Sequence, residues 1–444
     1  MSRRALRWTI LFTLMAGVVA LAVYNAYSNA RLLSDLESRD PAKRASGFAL
    51  LSDRQDGYNL VQTLPAGRRR AVAEALGDWR SPKAASLAAT LLRDTDAGVR
   101  TALTRSLSRI AAESPESVAM EMSATTPEVR VGLLEAAYAA GDTGLQIAAT
   151  AFQNTDSREN AATLFVRFGD RAKPALTRLL DADDTEAALV AAETLSRIGA
   201  GDGDSEVGAR IWVFFTGLES VEEKDRAFAA LAEFAPPPAE GLFIKTLQDA
   251  VAPSSLRAAS ARALGRLGNF GPLAAALADT DRAVWTAAAE GFAGADELGA
   301  SLAAVAEAPP ERSAMALRMN PSPLAERFLT QRALKGDAAA VRALGERPNV
   351  SPGGLLALER ILSMAEGADE GLRRDAARAL AAHGTEGGEI LLRNLSNPEA
   401  SWPAADALAT SEVPDGRLEE AAEGDGPGAA WAALALRIRK GSDS

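Results

Sequence analysis

Apolar residues along the chain recur at three- and four-residue spacing, in short runs closed by glycine, proline or aspartate. The clearest run is Pro253–Gly268, PSSLRAASARALGRLG. Leu256, Ala259, Ala263, Leu264 and Leu267 fall on one face of a helix. The arginines lie off that stripe, and Gly268 follows the last apolar position, where a helix C-cap belongs. Val99–Ala111 and Leu372–Gly384 superpose on the same pattern without gaps. No segment sustains an alternation of period two, so the pattern predicts helices rather than a sheet.

Weaker copies centre on Arg44, Arg70, Arg130, Arg158, Ala188, Arg226, Trp285, Arg312, Val341, Trp402 and Trp431. Neighbouring copies stand roughly thirty residues apart, a period that fits two short helices and two turns. One longer step, from Ala188 to Arg226, breaks the rhythm. A first helix precedes each copy, as at Lys83–Leu92, Pro174–Leu180, Ala239–Leu247, Pro272–Leu277 and Gly388–Leu395. The turns between them read Asp94-Thr95-Asp96, Asp181–Asp184, Asp279-Thr280-Asp281 and Asn397-Pro398-Glu399. Aspartate or asparagine there accepts from the free N–H groups that open the next helix. The predicted class is all-α: a solenoid of about fourteen two-helix units over residues 38–440, with 441–444 as a frayed tail.

Ahead of the repeats, Trp8–Tyr27 carries no charge, and Arg3, Arg4 and Arg7 precede it in a basic flank, residues 1–7. Twenty helical residues span about 30 Å, the depth of a bilayer core. Trp8, Tyr24 and Tyr27 stand near its ends, where amphipathic aromatics suit the headgroups. The expectation is a single-pass anchor in the cytoplasmic membrane, N-terminus in the cytoplasm. Residues 28–37 would form a juxtamembrane segment and the solenoid would lie on the extracytoplasmic, periplasmic side. A signal peptide cleaved near Ala30 and a buried solenoid helix are the competing readings.

Composition narrows the function classes. Hydrophobic residues make up 47% of the chain and aromatics only 5%, so alanine and leucine supply the apolar faces. There is no cysteine, which removes disulfides, thiolate metal sites and thiol nucleophiles. A single histidine, His383, leaves no histidine metal cluster or relay. The net charge is −11, and residues 1–30 carry three arginines and no acid, so the remainder holds 45 basic against 59 acidic residues, −14. That sign opposes nucleic-acid binding, which needs clustered Lys and Arg. No nucleophile motif joins the serines and aspartates to a base, so no catalytic, metal or cofactor residue is assigned and the chain reads as a non-enzyme.

The repeated pattern resembles the HEAT-repeat family, in particular the short HEAT-like repeats of phycobilin lyase subunits. The resemblance covers about residues 38–440 and implies an α-solenoid with first helices on a convex side and second helices on a concave one. It further implies a ladder of hydrogen bonds between an aspartate in the turn and an arginine six residues later. Asp94 and Arg100 have that spacing, and Arg130, Arg257 and Arg373 hold the arginine position of their units. Asp279 is followed instead by Trp285, and the Ala188 and Val341 units also lack the arginine.

Departures from the repeat are the places to look for function. Gly199–Gly208 is acidic and glycine-rich, and reads as a solvated loop, since an EF-hand pattern is absent. Trp212, Phe214 and Phe215 follow in the most aromatic run, either filling a widened core or presenting a docking patch. Trp285, Trp402 and Trp431 occupy matching positions, either packing between units or lining a stripe for a bound peptide. Pro309-Pro310 and Pro321–Pro323 read as turns. The leading functional expectation is a membrane-anchored scaffold of a prokaryotic envelope that binds a protein or peptide partner, with no cofactor. The alternative is a pigment- or cofactor-handling protein, lyase- or chaperone-like, by resemblance to the phycobilin lyase subunits.

Overall fold

Helix-capping turns and alanine-leucine faces set the architecture of the protein, here a computed structural model. It describes residues 3–124, 126–201, 204–294, 305–365 and 368–442, with side chains from residue 13 onward. Every regular element among the described residues is a helix. The chain divides into two compact units, Met1–Asp202 and Gly203–Ser444. The division falls inside the predicted interruption at 199–215.

In the first unit the helices run α1 (Arg3–Leu36), α2 (Pro41–Ser52), α3 (Gly57–Gln62), α4 (Ala66–Leu76), α5 (Ala84–Leu91) and α6 (Ala97–Glu113). They continue as α7 (Pro115–Glu121), α8 (Pro127–Ala139), α9 (Asp142–Phe152), α10 (Arg158–Phe168), α11 (Lys173–Leu179) and α12 (Thr185–Ile198). Second helices α4, α6, α8, α10 and α12 pack in succession as one layer. The first helices α5, α7 and α9 pack in succession as the other. Leu103, Leu107, Leu164 and Leu195 are fully buried within this stack.

The turn aspartates act as helix caps. Asp96 accepts from the Val99 N–H at 3.0 Å, Asp40 from the Ala42 N–H at 2.9 Å, and Asp184 from Glu186 and Ala187. Each satisfies a donor that the first helical turn leaves open.

The N-terminal expectation needs correction. Among the described residues no helix is long and apolar enough to cross a membrane, so the single-pass placement, with the body on the far side, is not supported. Side chains 8–12 of the expected span lie outside the description. Helix α1 continues without a break through Ser28-Asn29-Ala30. Asn29 Oδ1 accepts from Arg54 at 2.8 Å, and Leu32 and Leu36 are buried. Leu36 packs where Gly47 of α2 leaves room. The expected juxtamembrane segment is therefore the docked end of α1.

In the second unit the order is α13 (Ser205–Gly217), α14 (Val221–Phe234), α15 (Glu240–Gln248), α16 (Ser254–Arg266), α17 (Phe270–Ala276) and α18 (Arg282–Gly291). Then come α19 (Pro310–Met319), α20 (Pro323–Ala333), α21 (Ala338–Gly345), α22 (Pro352–Ser363) and α23 (Glu370–Ala381). The unit ends with α24 (Gly384–Asn394), α25 (Ser401–Ala409), α26 (Asp415–Glu423) and α27 (Ala429–Ser442). Here α14, α16, α18, α19, α21, α23, α25 and α27 pack in succession as the second-helix layer.

Three boundaries differ from expectation. Helix α13 begins at Ser205, so Glu206 and Gly208 are helical rather than part of a loop, while Asp202 lies outside the described residues. The prolines at 309–323 open α19 and α20, where a missing N–H costs nothing. Helix α27 runs on through Gly441 and Ser442, past the expected start of the tail.

Candidate interaction surface

The turn residues come first because they fix where each second helix stands. Asp94 is only 2% exposed. Its carboxylate accepts from Arg69 Nε at 2.7 Å, Arg69 Nη2 at 3.0 Å, Gln62 Nε2 at 2.7 Å and the Asp96 N–H at 2.8 Å. Burial pushes its pKa up, but the bonds from Arg69, the Asp96 N–H and Gln62 outweigh it and hold the carboxyl below its ordinary range. Arg100 does not reach that carboxylate. Its Nη1 donates to the carbonyls of Asp94 at 2.8 Å and Thr95 at 2.9 Å, closing its own turn. The ladder thus runs from an arginine of one unit to the turn aspartate of the next.

Arg257 repeats this arrangement by pairing with Asp279, whose Oδ1 also takes the Asp281 N–H at 2.8 Å. Trp285 stands where the turn-closing arginine belongs. Arg312 of the following second helix supplies the missing donors. It bonds the carbonyls of Leu277 at 2.9 Å and Asp279 at 2.6 Å, with its guanidinium 5.2 Å from the Trp285 ring centre. Arg373 donates to the Met364 carbonyl at 2.9 Å and faces Glu399 at 3.5 Å. Arg130 is exposed and makes none of these contacts.

Sequence reasoning missed two members. It centred one unit on Arg70, which is exposed and pairs with Glu74 at 3.1 Å, while Arg69 carries the ladder. Counting four residues from the N-cap, Asp96 to Arg100 and Pro65 to Arg69, would have found it. Arg347, buried, donates to the carbonyls of Leu317 and Asn320, both at 2.7 Å, and burial lowers its pKa. His383 Nε2 lies 3.0 Å from the Leu344 carbonyl, a role within the stack.

The aromatic candidates separate into three settings. Trp212 and Phe215 stack at 6.2 Å, Phe215 meets Phe228 edge-on at 6.2 Å, and Phe228 meets Phe243 at 5.8 Å. This chain of rings leads from half-buried Trp212 to fully buried Phe243. Phe214 is half-buried, and beside it Val213 is exposed. Trp285 lies under Arg312. Trp402 and Trp431 pair at 6.2 Å with rings tilted by 59°, and Trp402 remains 37% exposed. Since α19, α21 and α23 stand between Trp285 and that pair, the three tryptophans form no single stripe.

Grooves open on the described surface between successive helices, among them α6/α8, α16/α18 and α19/α21 of the second-helix layers. In the first unit, one of about 380 Å³ lies between α2 and α4 and one of about 450 Å³ between α6 and α8. In the second unit, one of about 250 Å³ lies between α16 and α18 and one of about 240 Å³ between α19 and α21. The α2/α4 groove is floored by Phe48 stacked on Trp79 at 5.6 Å, an aromatic pair that the repeat pattern gave no reason to single out.

No family model matches the chain, and no curated protein matches it. Among solved structures, HEAT/ARM-repeat solenoids are similar to it. Importin beta, crystallised in an ammonium sulfate condition, shares 15% identity over 92% of this chain and 61% of that chain, with a TM-score of 0.33. Kap121p bound to Ste12p shares 12% identity over 94% of this chain and 57% of that chain, with a TM-score of 0.40. UNC-45 from Drosophila melanogaster shares 14% identity over 95% and 71%, with a TM-score of 0.25. The chain spans about three fifths of the length of the first two. At such TM-scores the likeness carries no functional argument.

Proposed function

We propose that the chain is a non-enzymatic protein-interaction scaffold that receives a protein or peptide on its second-helix layer. One observation carries this reading: in both units, grooves open between neighbouring second helices, at α6/α8, α16/α18 and α19/α21. Stacked repeats offer many similar shallow contacts in a row, a surface suited to extended partners through modest contacts added together. The half-open pair Trp402 and Trp431 supplies an aromatic anchor of the kind that dominates binding energy. The net charge of −11 favours basic partners over nucleic acid. The pigment-handling alternative has no observation of its own and is not carried forward.

Panning a displayed random-peptide library against the immobilised full-length chain tests this. The reading expects enriched sequences that compete with one another. Recovery no higher than from a blank surface, over repeated rounds, would remove it.

A further inference from the structure

The α6/α8 groove has two acids without an ion pair among the described residues, Glu128 and Glu135, against a single lining arginine, Arg100. Its floor is apolar, with fully buried Leu92 packed so closely on Gly132 that a Cβ there would stand 2.7 Å from a Leu92 methyl. Val131 stands 51% exposed along it. On the α8 wall, Glu128 and Glu135 flank Val131, and both are exposed and form no ion pair among the described residues. On the opposite wall, Arg100 is engaged with the Asp94 and Thr95 carbonyls. In the other grooves Asp78 pairs with Arg109 and Glu346 with Arg318, while Glu290 and Glu311, which form no ion pair among the described residues, each share their groove with two lining arginines, Arg262 and Arg266 at α16/α18 and Arg318 and Arg342 at α19/α21. Arg105 and Arg130, also exposed, lie off the lining.

Resting on the scaffold reading, we infer that the α6/α8 groove is a docking site for a basic amphipathic helix. Charge complementarity and spacing commit it to that occupant. Glu128 and Glu135 are seven residues apart on one helix, about 10.5 Å along its axis. A ligand helix with Lys at i and i+7 and Leu at i+3 and i+4 reproduces that distance and sets its apolar turn over Val131 and Gly132. This is the helix-in-groove mode, read as anchors at i, i+3, i+4 and i+7.

The probe is a synthetic stapled helix carrying those lysines and leucines, with a twin in which glutamates replace the lysines. Affinities are measured against the wild-type chain and against Glu128→Lys/Glu135→Lys, at about 0.05 M and about 0.5 M salt, where screening shortens the reach of charge. The lysine helix is expected to bind wild type, to lose about tenfold on the reversed chain, and to weaken in high salt. The glutamate twin is expected to prefer the reversed chain. Equal binding of the lysine helix to both chains, or binding to neither, overturns the proposal. In the second case, library peptides that still bind leave the scaffold reading intact, while their absence removes both. Because both glutamates are exposed, unchanged helical circular dichroism is expected, and Glu128→Gln/Glu135→Gln provides a milder variant with the same direction of effect.

Discussion

Asp94 is almost without exposed surface, yet it is ionised more readily than an ordinary carboxyl, because Arg69, Gln62 and the Asp96 N–H all donate to it. The consequence for stability has a definite sign. The folded pKa lies below the unfolded value of about 3.9, so Asp94 stabilises the fold above that value. The contribution is lost as pH falls through the folded pKa. Asp94→Asn is expected to lower stability at pH 7 and to flatten the acid limb of a urea-melt series run from pH 6 to pH 2; an unchanged limb would contradict the assignment. Arg69→Met leaves a buried carboxylate with reduced pairing and should cost about 3 kcal/mol. Backbone conformation gives a second residue-level pair. Gly268, at φ +73°, closes α16 with the Asn269 N–H bonded to the Leu264 carbonyl at 2.9 Å, so Gly268→Ala should cost about 1 kcal/mol. Ala235 ends α14 at φ +39°, an unfavourable region for a residue with a Cβ, and Ala235→Gly should gain a few tenths to about 1 kcal/mol by thermal melting.

Between elements, the second helices meet through small residues and crossed arginines. A Cβ on Gly265 would stand 2.5 Å from the Gly291 Cα, so Gly265→Ala must push α16 from α18 and should cost about 1–3 kcal/mol in denaturant melts. The Trp285 unit tests the idea that a neighbour can supply a missing donor. Arg312→Ala should cost about 2 kcal/mol, since two turn carbonyls lose a charged donor. In a Trp285→Arg background the penalty should fall below about 1 kcal/mol, and a double-mutant cycle showing no coupling would refute the exchange. The repeat was legible in the sequence because its period, apolar stripe and turn aspartates are local. The pairing between units was not. Asp94 and Arg100 are neighbours in sequence, but the partner of the Asp94 carboxylate is Arg69, twenty-five residues earlier, fixed by how α4 stacks on α6. The Trp8–Tyr27 expectation rested on uncharged length, and among the described residues no helix is long and apolar enough to cross a membrane; the burial of Leu32 and Leu36 in the continuation of α1 was likewise not legible from the sequence.

At the scale of the molecule, each unit is a succession of hairpins whose second helices leave grooves between them. Which grooves matter could not be read from the sequence, because their walls come from residues about thirty positions apart whose charges are cancelled or left free by pairing across units. Glu346 and Glu135 look alike in the chain, but Arg318 faces the first and no cation pairs with the second among the described residues. The aromatic departures were visible by composition, but their settings, a buried ring chain at Phe215, an arginine-covered ring at Trp285 and an open pair at Trp402, depend on packing. The most direct test of the central claim is hydrogen exchange by mass spectrometry on the full-length chain, with and without a saturating library-selected peptide. The account predicts added protection concentrated in second helices, such as α6 and α8. Protection confined to first helices such as α5, α7 and α9, or none at saturation, would contradict it.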